Sequence, residues 1–298
     1  MQQRILLGLI GANIQKSLSP ALQEDACAAA GIRGHYHLMD LDVLPGRNLE
    51  SLLDAARMAG FAGVNVTFPC KEAVLPLLDA VSPEARQIGA VNTVIFDGRA
   101  RTTGHNTDRI GFRRAFEDAL GRDLIGGRTA LLVGAGGAGR AAAFALFDLG
   151  ADVVRIHDQD QDRARRLADE LVSEFGAGRS ESMADAATAL SGAAGMVNAT
   201  PVGMLGFPGM PVPLDAVAPH HWVADVIYTP LETDLVKAAR AKGCKTMGGG
   251  GMCVHQAAET FRLFTGRTAD LRRMQRIFTE AAALRDRVLE GPADQQET

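Results

Sequence analysis

The stretch TALLVGAGGAGRAAAFALFDLGADVVRIHD, residues 129–158, constrains the fold more than any other part of the chain. An apolar run, a glycine turn, an alanine-rich helical pattern and a β-branched run follow one another within about thirty residues, the span of one βαβ unit. The turn matches G-x-G-x-x-G through Gly134, Ala135, Gly136, Gly137, Ala138 and Gly139. Glycines at this spacing let the backbone approach a pyrophosphate, whose charge the amides at the helix start can hold. The stretch predicts a Rossmann-type dinucleotide-binding unit, with a glycine turn that holds no ligand as the alternative.

Asp158 follows the second strand of this unit, 24 positions after Gly134. A carboxylate about 20 residues beyond the first glycine binds the ribose hydroxyls of NAD and repels the 2′-phosphate of NADP. Several arginines nearby could instead reach a 2′-phosphate, or simply face solvent: Arg155, Arg163, Arg165 and Arg166. We therefore expect NAD as the cofactor, with NADP as the alternative and Arg163 among the cofactor-binding residues.

Strand-like and helix-like segments alternate on both sides of this unit. Before it, the sequence predicts strands at RILLGLIG, HYHLMDLD, GVNVTF, AVNTVIF and RTTGHN, and helices at SPALQEDACAAAG, NLESLLDAARMAG and CKEAVLPLLDAV. We expect Ser19 to cap the first helix, with Pro20 at its first position. After it, MVNATP, VADVIY and DLVKAARAKG continue the alternation, and amphipathic helices follow. The pattern is typical of an α/β protein with two units, either of which the C-terminal helices could complete.

Composition limits the classes of function. With 298 residues, of which 47% are hydrophobic and 22% charged, the chain can form two compact cores. A net charge of −4 gives no general attraction for nucleic acid or anionic lipid, and no apolar run approaches the roughly 20 residues that span a bilayer. The four cysteines lie far apart, which favours a reducing compartment. We expect a cytoplasmic monomer or homodimer that binds a small molecule, with neither nucleic acid nor a membrane as its partner.

Oxidation of an alcohol by a dinucleotide requires an acid–base group within hydrogen-bond reach of the carbinol oxygen. The chain has only two tyrosines, Tyr36 and Tyr228, and neither a Ser-Tyr-x-x-x-Lys array nor a zinc-ligand cluster, so the sequence predicts no metal. Lys71 remains as a candidate, just beyond the predicted strand GVNVTF. The alternative is an ordinary lysine in the first turn of a helix, although the helix dipole disfavours a cation there.

A resemblance that covers nearly the full chain is carried by blocks in a fixed order: SLSP (17–20), NVTFPCK (65–71), GAVNT (89–93), GHNTD (104–108), GAGGAG (134–139), NATPVGM (198–204), DVIY (225–228) and GGGGMCVHQA (248–257). Through these blocks the chain resembles the shikimate and quinate dehydrogenase family. The resemblance implies an α/β substrate domain over residues 1–109, completed by C-terminal helices over 255–298, with a Rossmann-type NAD-binding domain over 110–254 inserted between them. In such a protein the active cleft lies where the two domains meet.

The resemblance also implies roles for individual residues. By position, Lys71 and Asp108 match the catalytic acid–base pair. The groups that hold the carboxylate and the ring hydroxyls of the substrate match Ser17, Ser19, Thr67, Asn92, Tyr228 and Gln256. The groups around the nicotinamide match Asn198, Thr200, Val226, Gly249 and Met252.

These residue types suit the chemistry that the resemblance implies. A polyhydroxylated carboxylate needs several convergent neutral hydrogen-bonding groups, which Ser, Thr, Asn and Gln supply. Several of these residues also have a structural explanation as an alternative. Asp108 and Ser19 could be helix caps, Asn92 and Asn198 could be turn residues, and Gln256 could be an ordinary residue of an amphipathic helix. The glycines at 248–251 suggest close approach of the backbone to a ligand, or alternatively a hinge.

The chain departs from the family pattern at a few positions. Gln23 and Glu24 stand where a His-Asn pair is usual, and Cys70 stands before Lys71 where the family often has histidine or another polar or aromatic residue. After the second Rossmann strand, most biosynthetic members carry an Asn-Arg-Thr run for the NADP phosphate, whereas this chain has HDQ at 157–159. The last departure favours an NAD-linked, oxidising enzyme.

Shikimate is the expected substrate, oxidised at its C3 hydroxyl to 3-dehydroshikimate, because serine at both 17 and 19 resembles the shikimate-preferring pattern. Quinate and aminoshikimate are the alternatives within the family. A regulator that binds such metabolites without turnover is an alternative from another class, against which the retention of Lys71 and Asp108 argues. A folate- or amino-acid-type dehydrogenase with the same inserted plan would not explain Ser17, Ser19 and Gln256 together.

Overall fold

The computed structural model describes residues 3–43, 46–99 and 101–290. The chain divides into two compact units, of which one comprises Met1–Thr107 and Ala257–Thr298 and the other comprises Asp108–Gln256. Each unit contains a six-stranded sheet flanked by helices, which confirms the predicted α/β class. Within the described ranges, no helix combines the length and the apolar character that crossing a membrane requires.

The first unit is built on a mixed sheet. Its strands are β1 (Arg4–Gly11), β2 (Arg33–Asp40), β3 (Gly63–Val66), β4 (Ala80–Val81), β5 (Thr93–Phe96) and β6 (Thr102–His105), in the spatial order β2-β1-β3-β5-β6-β4. Strand β1 runs parallel to β2 and β3, whereas β5 runs antiparallel to β3 and to β6. Consequently β1, β3 and β6 end, and β5 begins, at the same edge of the sheet.

The helices between these strands are α1 (Ser19–Ala29), α2 (Leu49–Met58), α3 (Cys70–Ala73) and α4 (Pro83–Ile88). The prediction of one proline-interrupted helix over 70–81 is wrong, because α3 is followed by a 3-10 turn at Leu75–Leu77 and then by β4. Pro76 has no N–H with which to continue a helix. The Asp79 carboxylate accepts the backbone N–H of Thr102 at 2.8 Å, and this bond holds the segment beside β6.

The predicted cap of α1 is also wrong. The helix begins at Ser19 itself, Leu18 occupies the cap position, and no side chain of the described residues caps it. The Ser17 hydroxyl accepts the Ser19 N–H at 3.2 Å from two residues upstream. Pro20 lies in the first turn, where its missing N–H costs nothing.

Cys70 belongs to the apolar core of the first unit. Its side chain lies in a cluster of buried residues that includes Ile10, Leu52, Val64 and Val94. Burial raises the pKa of the Cys70 thiol above its ordinary value, so the group stays protonated and packs as a small apolar side chain. Cys70 therefore anchors the short helix α3 in the core, which gives the unusual residue before Lys71 a structural role.

The second unit is built on a fully parallel sheet. Its strands are β7 (Thr129–Val133), β8 (Val153–His157), β9 (Ser180–Ser182), β10 (Gly195–Asn198), β11 (Trp222–Asp225) and β12 (Lys245–Met247), in the order β12-β11-β10-β7-β8-β9. From β7 the chain passes outward to β8 and β9 and then returns to the other side of β7 at β10. Ligands of doubly wound sheets bind outside the carboxyl ends of the strands at such a switch point.

The helices that follow in the chain are α5 (Asp108–Ala119), α6 (Gly137–Asp148), α7 (Gln161–Phe175), α8 (Ala186–Leu190), α9 (Asp234–Ala241), α10 (Gly249–Thr265) and α11 (Leu271–Glu290). Helix α10 begins in the second unit, and its residues from Ala257 onward belong to the first. Helix α11 belongs wholly to the first unit, where Arg273 forms a bidentate ion pair with Asp25 of α1 at 2.7 Å.

Candidate active site

The glycine turn lies between the end of β7 and the start of α6. Gly134 has φ = +100°, a conformation that side chains rarely adopt. A Cβ on Gly139 would lie 1.9 Å from the carbonyl oxygen of Gly134, so the first and last glycines of the motif are required for packing the turn itself. A Cβ on Gly136, by contrast, would meet no atom within 4 Å among the described residues. The space beside Gly136 is therefore open at the helix start, where backbone amides favour an anion.

Asp158 lies against this turn. One carboxylate oxygen, Oδ2, accepts the N–H of Ala135 at 2.8 Å, and the other, Oδ1, accepts the N–H of Asp160 at 2.8 Å. The N–H of Gly134 also donates to the carbonyl of His157 at 2.8 Å. The carboxylate is thus held at the carboxyl edge of the sheet, next to the residues that a pyrophosphate would approach.

The arginines near Asp158 face different partners. Arg155 pairs with Glu181 at 2.9 Å and donates to two backbone carbonyls near α8, which directs it away from the turn. Arg165 pairs with Asp162 at 2.5 Å on the exposed face of α7. Arg163 is half-exposed, and its guanidinium lies 3.9 Å from Asp160. The ion-pair contact of Arg163, on the first turn of α7, is therefore longer than that of Arg155.

The carboxyl ends of β10 and β11 are joined by side-chain hydrogen bonds. Asn198 donates to Asp225 at 3.2 Å and to the carbonyl of Val202 at 3.1 Å, and its Oδ1 accepts the Thr200 hydroxyl at 2.7 Å. The N–H of Val226 donates to the carbonyl of Asn198 at 3.0 Å. The side-chain amide of Asn198 therefore orders the loop that follows β10, which agrees with the explanation of Asn198 as a turn residue.

Asp225 was missed by the sequence argument, although it lies in the block DVIY. It is fully buried, and burial raises the pKa of its carboxyl above the ordinary value despite hydrogen bonds from Ile227, Thr233 and Asn198. A polar residue at the end of an apolar strand was the available signal. Its role in the structure is to hold the loops after β10 and β11 together.

The glycines at 248–251 approach protein rather than open space. A Cβ on Gly249 would lie 2.2 Å from the carbonyl oxygen of Val226, and a Cβ on Gly251 would lie 3.3 Å from the side chain of Ala115. Both residues lie in the first turn of α10. At Gly249 and Gly251 the close backbone approach is therefore an approach to the protein's own chain, at the start of a helix.

At the first unit's sheet edge, the mixed topology gathers most of the predicted substrate-binding residues. Ser17 and Ser19 follow β1, Thr67 and Lys71 follow β3, Asn92 precedes β5, and Thr107 follows β6. These residues therefore follow or precede strand ends that lie at one edge of the sheet. Asp108, bonded to Thr107, is buried and begins α5.

Backbone hydrogen bonds hold Thr67, Lys71 and Asn92 in fixed relation. The N–H of Val66, just before Thr67, donates to the carbonyl of Asn92 at 2.8 Å. The N–H of Val91, just before Asn92, donates to the carbonyl of Lys71 at 2.8 Å. Lys71 itself lies on α3, is partly buried and has at least one further interaction.

The side-chain amide of Asn92 is oriented by Thr107. Its Oδ1 accepts the backbone N–H of Thr107 at 2.8 Å, and its Nδ2 donates to the Thr107 hydroxyl at 2.9 Å. Because a backbone N–H can only donate, the oxygen of the amide is identified, and Nδ2 is the donor end of the side chain.

A buried polar network behind Asn92 was also missed. Thr260, fully buried on α10, lies 3.1 Å from the Thr107 hydroxyl and 3.2 Å from the Thr93 hydroxyl. Asn65 donates to Thr93 at 3.0 Å and accepts from the hydroxyl of Tyr36 at 2.8 Å. An asparagine inside the apolar run GVNVTF was a signal for such a network, because a buried amide requires partners.

Gln23 and Glu24, which depart from the family pattern, both make tertiary contacts. Gln23 is buried and donates to the carbonyl of Ala257 at 2.9 Å, which links α1 to α10. Glu24 accepts the backbone N–H of Tyr36 at 2.8 Å on the outer side of edge strand β2. These residues therefore fix the position of α1, the helix that Ser17 and Ser19 introduce.

The remaining predicted residues lie in the second unit. Tyr228 follows β11 and is partly buried. Met252 is buried on α10, and Gln256, four residues further on, donates to the carbonyl of Cys253 at 3.0 Å. His255, between them, contacts the Asp118 carboxylate at 2.9 Å. Over the ranges that the structure describes, no group of three or more His, Cys, Asp or Glu side chains could hold a metal ion.

A parallel, doubly wound sheet with a glycine turn and an adjacent carboxylate at its switch point defines a Rossmann-type dinucleotide-binding protein. Two family models match the chain: a shikimate dehydrogenase substrate binding domain over residues 9–94, and a shikimate 5'-dehydrogenase C-terminal domain over residues 249–277.

Individual relatives match nearly the whole chain. A quinate/shikimate dehydrogenase (NAD(+)) from Corynebacterium efficiens is 47% identical over 92% of this chain and 97% of its own. A shikimate dehydrogenase (NADP(+)) from Streptomyces avermitilis is 47% identical over 94% of this chain and 97% of its own. The solved structure of quinate dehydrogenase from Corynebacterium glutamicum in complex with NAD matches with a TM-score of 0.87 at 43% identity, covering 93% of this chain and 99% of that one.

The chain belongs to the shikimate/quinate dehydrogenase family, which confirms the resemblance inferred from the motif blocks. It is an NAD(P)-dependent oxidoreductase that acts on a CH–OH group. The alternatives of a regulator without turnover and of a folate- or amino-acid-type dehydrogenase are thereby set aside.

Proposed function

We propose that this protein is an NAD-preferring shikimate dehydrogenase, which reversibly oxidises the C3 hydroxyl of shikimate to the ketone of 3-dehydroshikimate. In this proposal the first unit holds the substrate and the second holds the cofactor. The observation that carries the substrate assignment is the sheet edge of the first unit, where four strands that are followed or preceded by neutral hydrogen-bonding residues have their ends. Such groups suit a ring that bears hydroxyls and one carboxylate.

The substrate-binding residues divide by the part of the substrate that they bind. Ser17 and Ser19 donate to the carboxylate, and the ring hydroxyls are bound by Thr67 and by the side-chain amide of Asn92. The Ser17 hydroxyl accepts the N–H of Ser19, so its own proton is available for a carboxylate oxygen. Tyr228 and Gln256 provide further contacts, which the family resemblance supports.

Lys71 and Asp108 carry the acid–base chemistry. In the oxidising direction the proton of the C3 hydroxyl passes to Lys71, with Asp108 sharing the proton load, and in the reducing direction the same residues return it. Bound NAD would supply the acceptor for the hydride of the C3 carbon. Anchoring of α3 by Cys70 and the bond from Val91 to the Lys71 carbonyl restrict the backbone from which the lysine side chain extends.

The preference for NAD rests on Asp158. A carboxylate already held by the N–H groups of Ala135 and Asp160 can still accept hydrogen bonds from ribose hydroxyls through its remaining lone pairs. The same negative charge repels a 2′-phosphate. The relative from Corynebacterium efficiens is named as NAD-dependent, whereas the one from Streptomyces avermitilis is named as NADP-dependent. The nicotinamide end would be held by Asn198, Thr200, Val226, Gly249 and Met252.

Quinate is the second candidate substrate. The observation in its favour is that the NAD-dependent relative is named for both quinate and shikimate, and that the solved structure in complex with NAD is a quinate dehydrogenase.

Initial rates of NADH or NADPH formation, measured for shikimate and quinate with each cofactor, test the proposal. We expect kcat/KM to be highest for shikimate with NAD and at least about tenfold lower for either substrate with NADP. A higher kcat/KM for quinate than for shikimate would make quinate the preferred substrate. A preference for NADP would contradict the role of Asp158.

Two single substitutions in the glycine turn separate its packing from cofactor binding. In Gly139→Ala the new methyl group would overlap the Gly134 carbonyl, so we expect a loss of stability of about 1–3 kcal/mol or more and a lower melting temperature. In Gly136→Ala the methyl group meets open space, so the melting temperature of the free protein should hardly change. If a pyrophosphate approaches Gly136, the same variant should bind NAD about tenfold more weakly or worse. Equal NAD affinity in Gly136→Ala and the parent protein, measured by titration, would place the cofactor elsewhere.

A further inference from the structure

Asp40 is a buried carboxylate at the end of β2 whose partners belong to the loop after β1. The residue is 1% exposed. Oδ2 accepts the backbone N–H of Ile14 at 3.0 Å and the side-chain amide of Gln15 at 3.0 Å, and Oδ1 accepts the N–H of Asp42 at 3.1 Å. A buried carboxylate is costly unless it is hydrogen-bonded in this way.

The hydrogen bonds continue from Ile14 to the two serines. The carbonyl of Ile14 accepts the N–H of Ser17 at 2.9 Å, and the Ser17 hydroxyl accepts the N–H of Ser19 at 3.2 Å. A continuous series of three hydrogen bonds therefore leads from the Asp40 carboxylate to Ser19, where α1 begins. The bond from Asp40 holds the backbone of Ile14, and the carbonyl of Ile14 in turn holds the backbone of Ser17. The orientation of the Ser17 hydroxyl therefore depends on the position of Ile14.

The loop is immobilised at two more points near Asp40. Asn13 adopts φ = +54°, which asparagine tolerates better than most residues, and its N–H donates to Asp42 at 2.9 Å. The side chains of Ile14 and Leu18 are buried beneath the loop. The carboxylates of Asp40 and Asp42 are thus the two anionic groups, among the described residues, that accept hydrogen bonds from the loop backbone over residues 12–16.

The ionised form of Asp40 is the form that this arrangement requires. Burial works to raise the pKa of Asp40, but hydrogen bonds from Gln15 and from the amides of Asp42 and Ile14 together hold it below its ordinary value. All of these partners donate, so a neutral carboxyl would turn an O–H toward a donor. Near neutral pH the group is therefore an acceptor only.

We propose that Asp40 is a positioning residue for the substrate carboxylate, because it fixes the loop backbone over residues 12–16 and through it the hydroxyl of Ser17. The inference rests on the proposed function, in which Ser17 and Ser19 bind that carboxylate. Asp40 itself does not contact the substrate: its charge is taken up by N–H groups of the loop, and it acts by presenting the Ser17 proton outward. The consequence is specific, since binding of the substrate should suffer while the acid–base step and cofactor binding should not.

A double-mutant cycle with Asp40→Asn and Ser17→Ala tests this role. In Asp40→Asn the shape is kept, but one acceptor becomes an NH₂ group that faces donors. We expect KM for shikimate to rise about tenfold in each single variant, KM for NAD to stay within about twofold, and kcat to fall less than KM rises. In the double variant the rise should be clearly less than the product of the single effects, because both act on the same hydroxyl.

Two further variants separate positioning from general stability. Asp79→Asn alters another carboxylate that accepts a backbone N–H in the same unit, at Thr102, and should leave KM for shikimate unchanged even where the melting temperature falls. Gln15→Leu removes one hydrogen bond to Asp40 at an exposed position, so the variant should fold and its KM for shikimate should rise about threefold. This variant keeps the test valid if Asp40→Asn does not fold.

The outcomes of the cycle are distinct. An unchanged KM in Ser17→Ala would overturn the proposed role of Ser17, and the inference about Asp40 with it. If KM rises in Ser17→Ala, two results would overturn the inference about Asp40 alone. One is an unchanged KM in Asp40→Asn and Gln15→Leu, and the other is fully additive effects in the double variant. A rise in KM for Asp79→Asn equal to that for Asp40→Asn would mean that loss of stability explains both.

Discussion

Replacing Lys71 with alanine is expected to lower kcat for shikimate oxidation by about a thousandfold, while KM for shikimate changes by less than about fivefold. The reason is that, in the proposed mechanism, Lys71 acts on the proton of the reacting hydroxyl, whereas neutral side chains supply most of the binding. Steady-state kinetics with saturating NAD measures both constants.

A matched lysine provides the control for this variant. Lys237 lies on the exposed face of α9, where it is 3.6 Å from Asp234, and Lys237→Ala should leave kcat unchanged. The melting temperature of Lys71→Ala should stay close to that of the parent, because Lys71 lies outside the apolar core to which Cys70 belongs. A kcat for Lys71→Ala within about tenfold of the parent value would remove the lysine from the proton-transfer step.

Asp108→Asn tests whether the two residues act together. We expect a loss in kcat of about a hundredfold or more, since the amide cannot share a proton. The double variant Lys71→Ala with Asp108→Asn should be little worse than Lys71→Ala, as residues that act as a unit have strongly non-additive effects. Losses that multiply in the double variant would show that each residue acts independently.

The second large effect concerns the cofactor. We expect Asp158→Asn to raise KM for NAD about tenfold or more and to lower KM for NADP, because hydrogen bonds to the charged carboxylate are lost and repulsion of the 2′-phosphate is relieved. The ratio of kcat/KM for NAD over NADP should therefore fall by about a hundredfold. Asparagine keeps an oxygen for the N–H of Ala135, so the glycine turn should remain folded.

The direction of the two changes distinguishes cofactor selection from support of the turn. If Asp158 only holds the turn, KM should rise for both cofactors in Asp158→Asn, and the ratio should stay constant. Asp152→Asn is the matched control, because Asp152 is exposed and lies just before β8, at the opposite end of the strand from Asp158. It should alter neither KM.

Local sequence patterns predicted the α/β class and the βαβ unit of the protein. The βαβ stretch with its glycine turn was predictable because strand, turn and helix are adjacent in sequence, and the requirement for glycine at 134 and 139 follows from atoms within the same turn. The segment 70–81 was not predictable in the same way, because β4 forms only when Asp79 reaches Thr102 on another strand.

The candidate site shows the same division. Asn92 and Ser17 were named from motif blocks, but the residues that orient them were not. Thr107 and Thr260 lie 153 positions apart in sequence, and Asp40 lies 26 positions from Ile14. Buried polar groups at these positions gave only the general signal that a partner must exist. The roles of Asp225 and of Gly249 likewise depend on which strand ends are neighbours, which the order β12-β11-β10-β7 settles.

What this sequence by itself determined is a set of residue types: the glycine turn of a βαβ unit, a lysine just beyond a strand and, through the family blocks, a carboxylate and several neutral hydrogen-bonding side chains. The glycine turn and the place of Lys71 follow from residue type and from spacing over a few positions, where the covalent chain limits the possible geometry, whereas the other assignments follow from the resemblance to the family. Only the tertiary structure decided which groups hold these residues in place, such as Asp40 for the loop of Ser17 and Thr107 for the amide of Asn92. The physical reason is that such hydrogen bonds join segments whose separation along the chain is unrelated to their separation in the folded sheet.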